Sequence, residues 1–124
     1  MVHAVNRSDE LVKSETIGHS LNLLSEIERE GQQSQRDLSN RIGLSLGKTN
    51  FLLKSLVEVG WVKVNNFRRS DNKLGYAYVL TPHGAAEKVR ITKCFLKKKE
   101  QEFLALQSEI ESIKRSITNS EVGS

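Results

Sequence analysis

Hydrophobic spacing changes from a helical to a strand-like period at Gly60. Before it, in "SLGKTNFLLKSLVEVG", Leu46, Thr49, Leu53, Leu56, Val57 and Gly60 gather on one side at about 100° per residue, with Leu52 at the edge. After it, "WVKVNNF" alternates Trp61, Lys63 and Asn65 against Val62, Val64 and Asn66, and "YAYVL" is a second strand-like run. Between the two runs "RRSDNKLG" is polar and basic, with the turn chemistry of a hairpin.

The flanks are helical by spacing. From about Ser8 to Arg29, Leu11, Ile17, Leu21, Leu24 and Ile27 recur at helical intervals, and Gly31 is the expected stop. In "SQRDLSNRI", Ser34 stands three residues before Asp37, a capping box opening a short second helix. Leu38 and Ile42 are its inward pair and Gly43 its stop. Ser45 caps a third helix to about Val59, closed by Gly60. Thr81-Pro82 then reads as an N-cap followed by proline at the first helical position, and beyond the first turn no breaker appears before Gly123. One long helix is expected from Pro82 to about Ser116. Val89, Leu96, Phe103, Ile110 and Ile117 fall seven apart within it, with Leu106 and Ile113 at intervening positions. Thr92 and Lys99 interrupt the second row, so a strict seam covers only residues 103–117.

This order of elements predicts a mainly α fold with a small β-hairpin: a winged helix-turn-helix over residues 8–81, a long helix over 82–118 and a flexible tail over 119–124. A chain of 124 residues suffices for one domain with a modest core and a projecting element. No apolar run approaches the ~20 residues needed to span a bilayer, and the first residues lack the regions of a secretory signal, so a cytoplasmic location is expected. One cysteine, Cys94, excludes an internal disulfide, and three scattered histidines offer no metal-ligand spacing. No cofactor or metal is expected.

The net charge of +4 is unevenly spread. Residues 1–33 carry three Lys/Arg against six Asp/Glu, residues 34–81 eight against three, and residues 82–124 eight against six. The positive excess therefore sits on the helix-turn-helix and hairpin, the pattern of a segment that meets a polyanion. Gly43 to Thr49 nearly spells a phosphate-binding loop, but three residues rather than four separate Gly43 from Gly47, and a polar helix precedes them where a buried strand is needed. A nucleotide site is excluded on that ground.

The third helix carries Gly47, Lys48, Phe51, Lys54, Ser55 and Glu58 opposite its apolar side. Gly47 costs about 1 kcal/mol against alanine in a helix, and Phe51 sits on a polar face. Both make sense if the first turns approach the floor of a DNA major groove: Gly47 permits close approach, Lys48 and Lys54 reach phosphates or guanine acceptors, Asn50 pairs with an adenine and Phe51 meets a thymine methyl. The bland alternative packs Phe51 on the hairpin or a partner subunit and has Gly47 relieve a helix–helix contact. Arg68, Arg69 and Lys73 would form a basic wing able to enter a minor groove. Arg36 and Arg41 lie on the second helix, whose N-terminus at Ser34 and Gln35 could donate to a phosphate.

"SQRDLSNRIGLSLGKTNFLLKSLVEVGWV", the wing "RRSDNK" and above all "LTPHG" resemble the MarR family of bacterial transcription regulators, with a closer likeness to the short branch found with exopolysaccharide gene clusters. The resemblance covers about residues 15–115. It implies a homodimer on palindromic operators, usually a repressor, with Ser45, Gly47, Lys48, Asn50, Phe51, Arg68 and Arg69 at DNA-facing positions. It departs from the family in its shorter terminal helices, which puts dimerisation on Val89, Leu96, Phe103, Leu106, Ile110, Ile113 and Ile117. It departs again after the wing's Asp71, where Lys73 replaces an arginine and loses the bidentate fork. The effector is unknown.

Cys94 is either a redox switch set among Lys93, Lys97 and Lys98 or an inert packing residue. His83 is expected on the surface or against the wing. Lys97-Lys98-Lys99 is a solvated face or a contact to flanking DNA, and Arg90, Lys93 and Lys97 share one stripe. Two functions remain: a sequence-specific regulator, or a winged-helix protein–protein module without a specific DNA site. Nothing in the sequence arranges residues for catalysis.

Overall fold

The computed structural model describes residues 7–30, 32–68 and 74–122. The elements are α1 (Arg7–Leu11), α2 (Ile17–Arg29), α3 (Gln35–Ile42), α4 (Leu46–Glu58), β1 (Val62–Arg68), β2 (Leu74–Leu80) and α5 (Pro82–Val122). The chain divides into two compact units, Met1–Thr92 and Lys93–Ser124, and α5 contributes residues to both.

In the first unit, the single N-terminal helix expected from Ser8 to Arg29 is two helices. Leu11 and Ile17 explain the break. Six residues apart on a continuous helix they would point about 120° from each other. The turn over residues 12–16 lets both be buried, at 1% and 5% exposure. Ser20 Oγ seals the corner by donating to the Leu11 carbonyl at 2.9 Å. Gly31, the expected stop of that helix, lies outside the described residues. The buried side chain of Gln33 takes part in ending α2, its Nε2 donating to the Glu26 and Glu30 carbonyls at 3.4 and 2.6 Å. On the same turn Arg29 hydrogen-bonds Glu26 and holds that carboxyl below its usual range.

α3 and α4 begin and end as their sequences dictate. Ser34 Oγ accepts from Asp37 N at 3.0 Å while Asp37 Oδ2 accepts from Ser34 N at 3.2 Å, completing the capping box. Ser45 Oγ accepts from Lys48 N at 3.2 Å at the start of α4. Gly43 (φ 70°) and Gly60 (φ 78°) close the two helices in the left-handed region. Leu44 N donates to Ser39 O and Trp61 N to Leu56 O, the six-to-one bonds of Schellman endings. α3 packs on α2 and α4, and α1 packs on α4.

The core gathers Leu23, Leu24, Leu38, Leu53, Leu56, Trp61, Val62 and Ile91, each 2% exposed or less. β1 and β2 pair antiparallel with Val62 opposite Leu80 and Val64 opposite Tyr78. Trp61 and Val62 are both buried, so Trp61 belongs to the helix ending and the alternation begins at Val62.

The "LTPHG" stretch is a structural joint. Thr81 N donates to the Trp61 carbonyl at 3.0 Å, Thr81 Oγ1 donates to the Gly60 carbonyl, and the same hydroxyl accepts from Gly84 N at 2.9 Å to cap α5. A Cβ on Gly84 would lie 2.0 Å from Trp61 O, so only glycine fits there. His83 meets the edge of Trp61 with ring centroids 6.5 Å apart, and Lys88 Nζ pairs with Glu28 at 2.9 Å.

In the second unit, every residue from Lys99 to Val122 is helical and exposed. Helix continues past Ser116, and residues 119–122, expected in the tail, form its last turn, because no proline or glycine intervenes before Gly123. Ser116 and Thr118 hydroxyls donate to carbonyls four residues back. The seam residues Phe103, Leu106, Ile110, Ile113 and Ile117 are 44–63% exposed. Cys94 is exposed. Among the described residues no helix is long and apolar enough to cross a membrane, and no group of His, Cys, Asp or Glu could hold a metal ion.

Candidate nucleic-acid interface

α4 presents one side to the core and one to solvent, and the division differs from the helical projection. Thr49, Leu52, Leu53, Ser55 and Leu56 are buried, whereas Leu46 and Val57, expected on the inner side, are 43% and 39% exposed. The buried arc is turned toward Ser55. The cause is α1, which packs against that side of α4 and which the spacing of α4 alone could not announce. Ser55 Oγ donates to the Phe51 carbonyl at 3.0 Å and accepts from Arg7 at 3.3 Å.

The exposed side starts at Ser45 and runs through Gly47, Lys48 and Lys54, all solvent-facing. No acidic residue occupies the first turn of α4, so the positive end of its dipole reinforces Lys48. Among the described residues, nothing lies within 4 Å of the position a Gly47 Cβ would take. Among them, the glycine therefore relieves no contact.

Asn50 is half-buried and tied across the turn, donating from Nδ2 to Gln35 Oε1 at 2.8 Å. That bond orients both side chains and joins the start of α3 to the second turn of α4. Phe51 is 49% exposed, with the Arg7 guanidinium 5.2 Å from its ring centroid. Arg7 also pairs with Glu58 at 3.0 Å. Arg7 is the neighbour of this candidate site that the sequence did not disclose: it stands 48 positions from Ser55, and no periodicity links them.

Ser34 and Arg36 are exposed at the start of α3. The capping box places the Asp37 carboxylate there and engages the Ser34 N–H, which weakens this helix end as a phosphate site relative to that of α4. A groove of about 660 Å³ runs between the two helices and the hairpin. Leu53, Val57, Val64 and Tyr78 form its apolar lining, with Lys54 and Glu58 as charged members. Arg68 ends β1, and the wing residues Arg69, Asp71 and Lys73 lie outside the described residues. Val89 and Leu96 are exposed on α5.

Residues 19–63 match the family described as winged helix-turn-helix DNA-binding. No curated protein matches the chain. Among solved structures, it is similar to the PcaV transcriptional regulator from Streptomyces coelicolor, with TM-score 0.57 and 19% identity over 95% of this chain and 88% of that one. It is similar to a MarR mutant from E. coli complexed with operator DNA, with TM-score 0.55 and 22% identity over 78% of this chain and 65% of that one. A MarR/EmrR family transcriptional regulator from Acinetobacter sp. ADP1 gives TM-score 0.52 and 19% identity over 96% of this chain and 85% of that one. With α3 and α4 as the helix-turn-helix and β1–β2 as the wing, the chain is a winged helix-turn-helix protein with the fold of the MarR-family transcriptional regulators.

Proposed function

We propose that this chain is a MarR-family regulator that binds double-stranded DNA as a homodimer and reads a palindromic operator with α4. The observation that carries the reading is Gly47: a helix-weakening residue on the exposed first turn of α4, flanked by Lys48 and Lys54, with open space where its side chain would be. Such a position suits close backbone approach to a groove. Asn50, held by Gln35, is a candidate base contact, and Arg36, Arg68, Arg69 and Lys73 are candidate backbone contacts. Phe51 reaches a thymine methyl from the flank where Arg7 covers its ring.

Residues 8–81 supply the reading head and residues 82–118 the dimer helix, through the exposed stripe from Val89 to Ile117. Repression is the simplest consequence of occupying an operator, and the resemblance to the short branch makes exopolysaccharide genes the first targets to examine.

The test is a salt titration of binding to the chain's own upstream promoter against random duplex of equal length. Promoter binding at least about a hundredfold tighter, roughly 2.7 kcal/mol, is expected of a sequence-reading protein. Equal affinity for both duplexes on that promoter and on genome-selected fragments would overturn the reading in favour of a protein–protein module, for which the exposed stripe of α5 would serve as the docking face.

A further inference from the structure

The last part of α5 has a face without a partner. From Lys99 to Val122 every side chain is exposed, yet Phe103, Leu106, Ile110, Ile113 and Ile117 form a seam at intervals of three and four residues. Helical stability comes mostly from packing an amphipathic face, and Ser108, Ser112, Ser116, Thr118, Asn119 and Ser120 along this segment lower its own propensity. The seam needs a cover, and the sequence of the seam specifies which.

We infer that residues 103–117 pair with the same residues of a second copy as a parallel, in-register two-stranded coiled coil; this rests on the dimer reading above and adds its direction. In that arrangement all five seam residues meet their own kind in five consecutive apolar layers. Two antiparallel alignments keep four of the five together, and each spoils the fifth: one sets Ile117 against Lys99, the other sets Phe103 against Ser120. Parallel pairing puts Phe103, Ile110 and Ile117 at the first core position and Leu106 and Ile113 at the second, so every core layer of the seam is apolar.

Charge on the flanks decides in the same direction. In the parallel pair Glu109, just before Ile110, faces Lys114 of the second copy, just after Ile113, and the symmetry makes this attraction twice. The antiparallel alignments bring Glu102 to Glu109 or Glu109 to its own copy, a carboxylate against a carboxylate. The stripe is thus complementary to itself in one direction.

The experiment uses the full chain with Cys94→Ser and Ser120→Cys, which removes no seam residue. Parallel pairing brings the two introduced thiols within the ~6 Å Cα separation that a disulfide spans. The antiparallel alignments part them by about 25 or 36 Å at 1.5 Å per residue. Mild oxidation at micromolar protein should give a covalent dimer, and sedimentation under reducing conditions should show the same dimer held without the bond. Lys114→Glu should weaken self-association roughly threefold to tenfold, and adding Glu109→Lys should restore it. A reduced dimer that fails to cross-link would overturn the parallel direction while leaving the dimer reading intact. A monomer under all conditions would overturn both.

Discussion

α4 and the far part of α5 are both helices that show aliphatic side chains to solvent, but the chain supports them in opposite ways. α4 has a serine cap, a left-handed glycine ending and five residues below 5% exposure that anchor it, so its exposed Leu46, Phe51 and Val57 are held on a rigid platform. Residues 99–122 have no buried side chain at all. An exposed apolar residue on an anchored helix is available for recognition, whereas an exposed apolar seam on an unanchored one is unfinished structure. One difference therefore separates the surface proposed to read DNA from the surface proposed to assemble.

The same truncation in both helices breaks the comparison most sharply. Leu56→Ala removes a side chain with 0% exposure and should cost about 2–5 kcal/mol, independent of protein concentration. Ile110→Ala removes a side chain that is 44% exposed within the chain. Its cost should appear only through self-association, shrinking to nothing on dilution in thermal melts. A concentration-independent loss for Ile110→Ala would mean that residues of this chain itself cover the seam.

Next in size is the joint where the first unit receives α5. Gly84→Ala forces a methyl to 2.0 Å from the Trp61 carbonyl, and backbone must move to admit it. A loss of about 2–3 kcal/mol is expected, read as a fall in melting midpoint. An unchanged midpoint would show that the "LTPHG" glycine is not needed for the packing of Trp61. Smaller again is the cap. Ser45→Ala removes the acceptor for Lys48 N and should cost about 1 kcal/mol while fraying the turn that carries Gly47. Urea denaturation measures the first effect, and weaker promoter binding at matched fold stability the second.

Legibility followed the range of the interactions. The capping box at Ser34 and Asp37, the serine cap at Ser45, the stops at Gly43 and Gly60 and the proline start of α5 are all local, each bond closing within a few residues. Those features, and with them the winged helix-turn-helix, were readable. The break between α1 and α2 was not, because it is imposed by burying Leu11 and Ile17 in one core. Nor was the turn of α4's buried arc toward Ser55, which depends on Arg7 arriving from far upstream. Phe51 shows the consequence: spacing placed it near the centre of the open face, and the structure places it at the flank under a guanidinium. Long-range packing leaves no periodic trace in sequence, so a site built partly from α1 could be only half foreseen.

Gly47 separates recognition from folding most finely, because its two effects have opposite signs. Alanine has a higher helix propensity by up to about 1 kcal/mol, and open space surrounds the position its Cβ would take. Gly47→Ala should therefore leave the fold intact and raise stability slightly, about 0.5 kcal/mol at a first-turn site. If α4 brings its backbone against a groove, the added methyl stands between helix and base edges. Promoter affinity should then drop roughly tenfold, about 1.4 kcal/mol, while binding to random duplex, governed by lysine and arginine contacts to phosphate, changes little. A variant both more stable and weaker only on its operator would identify the glycine as kept for recognition at the expense of the helix. A variant more stable and equally tight would remove Gly47 from the interface and turn attention to the Gln35–Asn50 pair as the centre of base reading.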